Sequence, residues 1–339
     1  MSMNRKVNIL SIDGGGIRGI IPAVILNHIE QGLQKRTGNP DATLADYFDL
    51  VAGTSAGGIL ACYYLLPPVP GQNCHSRYFA SDAVEMYAKH GMEIFNRKFL
   101  RFGVAREKYE AAGLKKVLKE CMGDATLAQS RKNCIITAYD ATRRKALLFT
   151  SPEARKYEHR NYLLRDVARA TSAAPTYFEL AAIKSMGGAM SYLIDGAVYA
   201  GNPAMCAAVE ANKTIFDACA NPAVNDIYMV SVGTGKERKT YDYRKAKDWG
   251  AIGWARPMID ILLSASAEVV DYQMQQLFKV ARCSDCYVRL EPELGKAKPE
   301  MDDASNENIR QLIDAGACFI KDNANKLDRI VEQLVVNHH

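Results

Sequence analysis

The chain has 339 residues, 48% hydrophobic and 24% charged, with a net charge of +5. Those proportions exclude disordered, collagen-like and coiled-coil chains, and the length allows one large α/β domain with a real core. The charge suits contact with an anionic surface and is too small to indicate a nucleic-acid polymer as partner.

The longest apolar runs, such as residues 20–26, fall far short of the ~20 residues that span a bilayer. The first residues carry Arg5 and Lys6 but no apolar run of secretory type, so neither a span nor a secretory signal is expected. Nine cysteines without framework spacing point to reduced thiols and a cytoplasmic protein. Cys283 and Cys286 form a CxxC with no second ligand pair at zinc spacing.

In chain order, residues 7–13 read as a short apolar strand broken by Gly14, Gly15 and Gly16. Residues 20–33 read as a helix with Pro22 in its first turn, where a missing N–H costs little. Gly38, Asn39 and Pro40 end that unit. Residues 47–52 predict a second strand, then a glycine-rich turn, then a buried helix over 59–66. A strand, glycine turn and helix occurring twice argue a layered α/β fold with a largely parallel sheet.

The proline-rich stretch 67–71 closes this block, and residues of about 72–130 read as helical insertions. Residues 133–139 and 146–150 read as a strand pair, 227–232 as a buried strand, 260–278 as a long helix, and 306–336 as two helices. A single domain over 6–335 is the simplest organisation.

Three clusters carry chemistry. Gly53, Ser55 and Gly57 match G-x-S-x-G between a strand and a helix. A serine on so sharp a turn needs small neighbours two residues away, and the following helix offers free N–H groups and a positive dipole end. Asp13 precedes Gly14, Gly15 and Gly16, with Arg18 two residues on. Consecutive glycines let several N–H groups converge on one anion, as an oxyanion requires. Gly14, Gly16 and Gly19 also fit a dinucleotide fingerprint. That reading is disfavoured, because Asp13 would sit beside a pyrophosphate and no strand ends in an acidic residue at the right distance.

The third cluster is Asp195-Gly196-Ala197, at the end of a short strand. A carboxylate against a serine hydroxyl accepts its proton as attack proceeds. None of the six histidines (His28, His75, His90, His159, His338, His339) follows a strand on a turn, where a triad histidine projects. With Asp195 as base at an ordinary ~3.9, no step near ~6.5 is expected in the pH–rate profile. Residues 95–102 interleave aromatics with cations, a pattern suited to a membrane interface or to core packing.

Taken together, DGGGIRG, GTSAGG and DGA resemble the patatin-like phospholipase family, in that family's order. LADYFDLVAGTSAGG, ARATSAAPTYF at 168–178, VSVGTG at 230–235 and MDDASNENIRQL extend the likeness from about residue 6 to about 335. The resemblance implies a three-layer α/β/α fold with a central, mostly parallel sheet. It implies a Ser55–Asp195 dyad, an oxyanion hole from Gly14, Gly15 and Gly16 shaped by Arg18, and a nucleophile elbow flanked by Gly53 and Gly57. It implies a metal-free, cofactor-free lipid acyl hydrolase that acts on phospholipid or other acyl-lipid substrate at a membrane surface. Some bacterial relatives in antiphage defence suggest an alternative, a membrane-degrading effector switched on by a cyclic oligonucleotide.

Overall fold

Strand β1, Val7–Ile12, is buried along its whole length, as a central parallel strand covered on both faces must be. The computed structural model describes residues 5–69, 76–95, 109–217, 219–236 and 242–338. The strands are β2 (Leu50–Gly53), β3 (Asn133–Asp140), β4 (Lys145–Thr150), β5 (Ala181–Lys184), β6 (Met190–Asp195), β7 (Ile227–Val232) and β8 (Tyr287–Leu290). The main helices are α1 (Ile20–Thr37), α2 (Ala56–Tyr64), α3 (Ala80–Ile94), α4 (Ala112–Met122), α5 (Leu164–Thr171), α6 (Ala204–Asn212), α7 (Ala251–Val280), α8 (Asn306–Asp322) and α9 (Ala324–His338). Short helical turns join them.

The sheet is parallel from β3 through β2, β1 and β7 to β8, with β4, β5 and β6 paired antiparallel. Successive strand residues point to opposite faces. Leu10, Ile12, Val51 and Val230 therefore enter the larger core with α1, α2 and α5. Val7, Ile9, Leu50 and Met229 enter a second core under α6 and α7. This is the expected three-layer α/β/α arrangement with a mostly parallel sheet.

The predicted strand over 47–52 begins later, at Leu50. Tyr47 instead ends a one-turn helix, because Thr43 and Asp46 close a capping box, with Thr43 N–H donating to Asp46 Oδ2 at 2.8 Å. Helix α2 starts at Ala56, three residues before the predicted start, and α7 starts at Ala251, nine before. Strands β5 and β8 and helices α5 and α6 had no counterpart in the sequence reading. Residues 70–75 and 96–108 lie outside the described residues, and with them Pro70, Gly71, His75 and all but Phe95 of the aromatic–cationic stretch. No helix among the described residues is long and apolar enough to cross a membrane.

Candidate active site

The turn from β2 to α2 places Ser55 at φ 54°, ψ −123°, a left-handed conformation that a serine holds only when its surroundings dictate it. The flanking glycines are a steric requirement. A Cβ on Gly57 would lie 2.2 Å from the Ile12 carbonyl oxygen, and one on Gly53 would lie 2.3 Å from the Gly57 carbonyl oxygen. The strained turn is pinned from helix α5, where the buried Thr171 hydroxyl accepts the Ser55 N–H at 2.8 Å.

Asp195 reaches Ser55 through sheet register. β2 lies along β3 up to the pair Gly53–Ile136. β6 lies antiparallel along β3, with Asp195 opposite Ala138. Strand β4 pairs with Ile135 through Asp140 of β3, so β2 and β6 share the other edge of β3. They meet head to head around Thr137. The Thr137 hydroxyl donates to Thr54 Oγ1 at 2.7 Å, and Thr54 donates in turn to the Ala200 carbonyl, also at 2.7 Å. Asp195 N–H donates to the Ala173 carbonyl at 3.0 Å, two residues beyond Thr171. One segment, 171–173, thus holds both Ser55 and Asp195.

The Ser55 side chain and the Asp195 carboxyl line the same pocket, and Asp195 Oδ1 accepts the Ala197 N–H at 2.8 Å. Burial pushes Asp195 up to about 7. The Ser55 hydroxyl, the Ala197 N–H and the nearby Arg169 charge oppose that rise without cancelling it. The ordinary aspartate value expected from sequence is therefore not the value here. Arg169 is buried, donates from Nη2 to the Glu179 carbonyl at 2.7 Å and lies over the Phe178 ring.

The glycine loop lies against the serine: a Cβ on Gly14 would be 3.1 Å from Ser55 Cβ. The loop N–H groups are not equivalent. Gly14 donates to the Gly201 carbonyl at 3.0 Å, Ile17 to the Met301 carbonyl at 2.8 Å and Arg18 to the Gly15 carbonyl at 3.2 Å. The N–H groups of Gly15 and Gly16 have no protein acceptor among the described residues. Of the three glycine amides expected at the oxyanion position, Gly14 is therefore committed to the fold. Arg18 Nε also reaches the Gly15 carbonyl, at 3.4 Å, and braces the loop.

Ser55, Asp195, Gly15 and Gly16 open into one pocket whose remaining walls are mostly apolar, among them Ile59, Ile94, Leu114 and Phe178. None of the histidines among the described residues lines it. His90 pairs with Glu93 at 3.2 Å, His338 packs against Tyr47 with the rings tilted by 44°, and His28 lies midway along α1. Sequence reasoning missed Thr171, Arg169, Thr137 and the Gly201 carbonyl. The first two lie inside ARATSAAPTYF, whose apolar spacing carries no sign of a polar role.

The family model for patatin-like phospholipase matches residues 10–208. Patatin-like protein 2 of rice, Oryza sativa subsp. indica, is 34% identical, with 96% of this chain and 86% of that protein covered. Patatin of potato, Solanum tuberosum, is 33% identical, with 94% and 85% covered. Among solved structures, VipD from Legionella pneumophila gives a TM-score of 0.33 at 13% identity, covering 93% of this chain and 67% of that one. With most of its length aligned at this identity, the chain belongs to the patatin-like phospholipase family.

Proposed function

We propose that this protein is a serine lipid acyl hydrolase of phospholipase A type, with Ser55 as nucleophile and Asp195 as its base. The observation that carries the reading is that sheet register brings a strained, glycine-flanked serine and a buried carboxyl together in one apolar pocket. Ionised Asp195 takes the hydroxyl proton as Ser55 Oγ attacks the ester carbonyl carbon. The N–H groups of Gly15 and Gly16 receive the negative charge that develops on the carbonyl oxygen. Asp195 then returns its proton to the leaving alcohol oxygen. Water, deprotonated by the same carboxylate, attacks the acyl-serine carbonyl; the ester bond to Ser55 Oγ breaks, Asp195 returns the proton to that oxygen, and the fatty acid leaves. The apolar pocket takes the acyl chain, and none of these steps calls for a metal or a cofactor.

The chain acts as one unit over 6–335, in the cytoplasm and at a membrane surface, where its net charge of +5 favours anionic lipid. The test is product analysis on mixed phospholipid vesicles with the wild type and Ser55→Ala. Fatty acid and lysolipid are expected from the wild type. The variant, folded by circular dichroism, is expected to lose at least about a thousandfold in rate, keeping only what binding and the oxyanion site contribute. Undiminished release by the folded variant would refute the assignment.

A further inference from the structure

On the other side of the glycine loop from the apolar pocket lies a polar cleft. It opens beyond the carboxyl ends of β1, β7 and β8. There β1 continues through α1 to β2 on one side, and β7 through α7 to β8 on the other. Such a divergence leaves a crevice at the strand ends, the usual ligand position in an open parallel sheet. Ala197 and Met301 line both the cleft and the apolar pocket. The two spaces are therefore separated by little more than the loop that carries Gly15 and Gly16. An ester carbonyl held there, with its acyl chain in the apolar pocket, has the cleft open to its alcohol portion.

Resting on the hydrolase reading above, we propose that this cleft seats the head group of a phospholipid bearing both a phosphate and a primary ammonium, that is, a phosphoethanolamine. Charges of both signs line the cleft, Arg18 and Lys236 together with Glu268 and Asp271, the last already accepting from Tyr287 and Gln275. The Arg289 guanidinium is neutralised within the wall, 2.6 Å from Asp13 Oδ2 and also paired with Glu291. Asp13 keeps its second oxygen, Oδ1, buried and without a donor. That oxygen is sealed inside the wall, so the groups that meet a ligand are the charged side chains lining the cleft.

A purely anionic head group would meet the carboxylates unmatched, and an uncharged one would match neither sign. A quaternary ammonium has no N–H to give and is held best by aromatic faces. No aromatic ring among the described residues lines the cleft. The primary ammonium beside a phosphate is the group that satisfies every feature of the wall.

The experiment measures kcat/KM on phosphatidylethanolamine, phosphatidylcholine, phosphatidylglycerol and diacylglycerol with identical acyl chains, in neutral detergent micelles so that surface charge is constant. The wild type should favour phosphatidylethanolamine over each of the others by about tenfold, the scale of one charge-assisted hydrogen bond. Glu268→Gln and Lys236→Met should each remove most of that ratio, and Glu268→Lys should turn the preference toward phosphatidylglycerol. Calorimetric titration of Ser55→Ala with glycerophosphoethanolamine and with glycerophosphoglycerol reads the cleft without chemistry, and the first should bind more tightly. Ester hydrolysis with equal rates on all four lipids and equal binding of the two soluble probes would overturn the head-group assignment while the hydrolase reading stood. Selective binding of glycerophosphoethanolamine, lost in the Glu268→Gln background, without hydrolysis of any ester would support the cleft and overturn the hydrolase.

Discussion

Replacing Asp195 by asparagine should move activity and stability in opposite directions. Asparagine has the same shape and can still accept the Ala197 N–H, but it cannot take a proton from Ser55. Loss of a positioned base costs roughly 10²–10⁴ in rate, so hydrolysis of a p-nitrophenyl ester should fall at least about 100-fold. The stability argument follows from the rise in the folded state from 3.8 to about 7, caused by burial. Well below the unfolded value of 3.8 the carboxyl is protonated in both the folded and the unfolded chain, and its ionisation contributes nothing to the stability difference. As pH rises through that range toward 7, the unfolded chain ionises freely while the folded one resists, and the wild type loses stability. The upper bound on that loss is about 4 kcal/mol. Because the hydroxyl and amide contacts are rearranged in the variant, about 2 kcal/mol is a fairer expectation. For a chain of this length that is about 3 °C in Tm. Differential scanning calorimetry at pH 8 should find Asp195→Asn more stable than the wild type by this amount, and at pH 4 within about 1 °C of it. A variant less stable at pH 8, or one that keeps most of its activity, would refute the argument.

Two other outcomes follow from the same geometry. Since Asp195 must be ionised to act, kcat/KM should fall as pH drops through about 7, and the limb should persist in His28→Ala, His90→Ala and His159→Ala; loss of the limb in one of these would assign it to that histidine. Thr171→Val removes the acceptor of the Ser55 N–H and should lower kcat about tenfold with KM within twofold, whereas Thr171→Ser, which keeps the oxygen, should restore most of it; equal losses in both would mean that packing matters and the hydrogen bond does not.

How much of this site could be read from the sequence depended on how local the constraint was. The Ser55 turn was legible because its sterics act between adjacent segments: Gly57 must be glycine for a carbonyl 2.2 Å from any Cβ there. The strand-end position of Asp195 was legible for the same reason, from β6 and the glycine that follows it. What joins the two was not. It lies in the register of β2 and β6 on one edge of β3, and no short-range pattern encodes register between distant strands. Strands β5 and β8 are four residues each, too short for a period to emerge. The one-turn helix ending at Tyr47 did carry a signal, the Thr43-x-x-Asp46 capping box, which the apolar run after it outweighed. The rise of Asp195 to about 7 is a property of burial, which the sequence around it does not state.

The same comparison explains why α5 matters more than its place in the fold suggests. Ser55 is held in a left-handed conformation, Asp195 is a carboxyl that would rather be in water, and both conditions cost free energy in the folded state. Neither residue can supply the restraint from its own segment. Ser55 lies on a turn whose amide has no helical partner, and Asp195 ends a strand on the edge of β3. The segment from Thr171 to Ala173 reaches both, through a hydroxyl to the Ser55 N–H and a carbonyl to the Asp195 N–H. Arg169, two residues earlier, adds the charge that favours the ionised carboxylate. The proposed nucleophile and base are thus held in one pocket by a single helix end packed in the larger core, so that mutations along 169–173 should act on the rate of acyl transfer before they act on substrate binding.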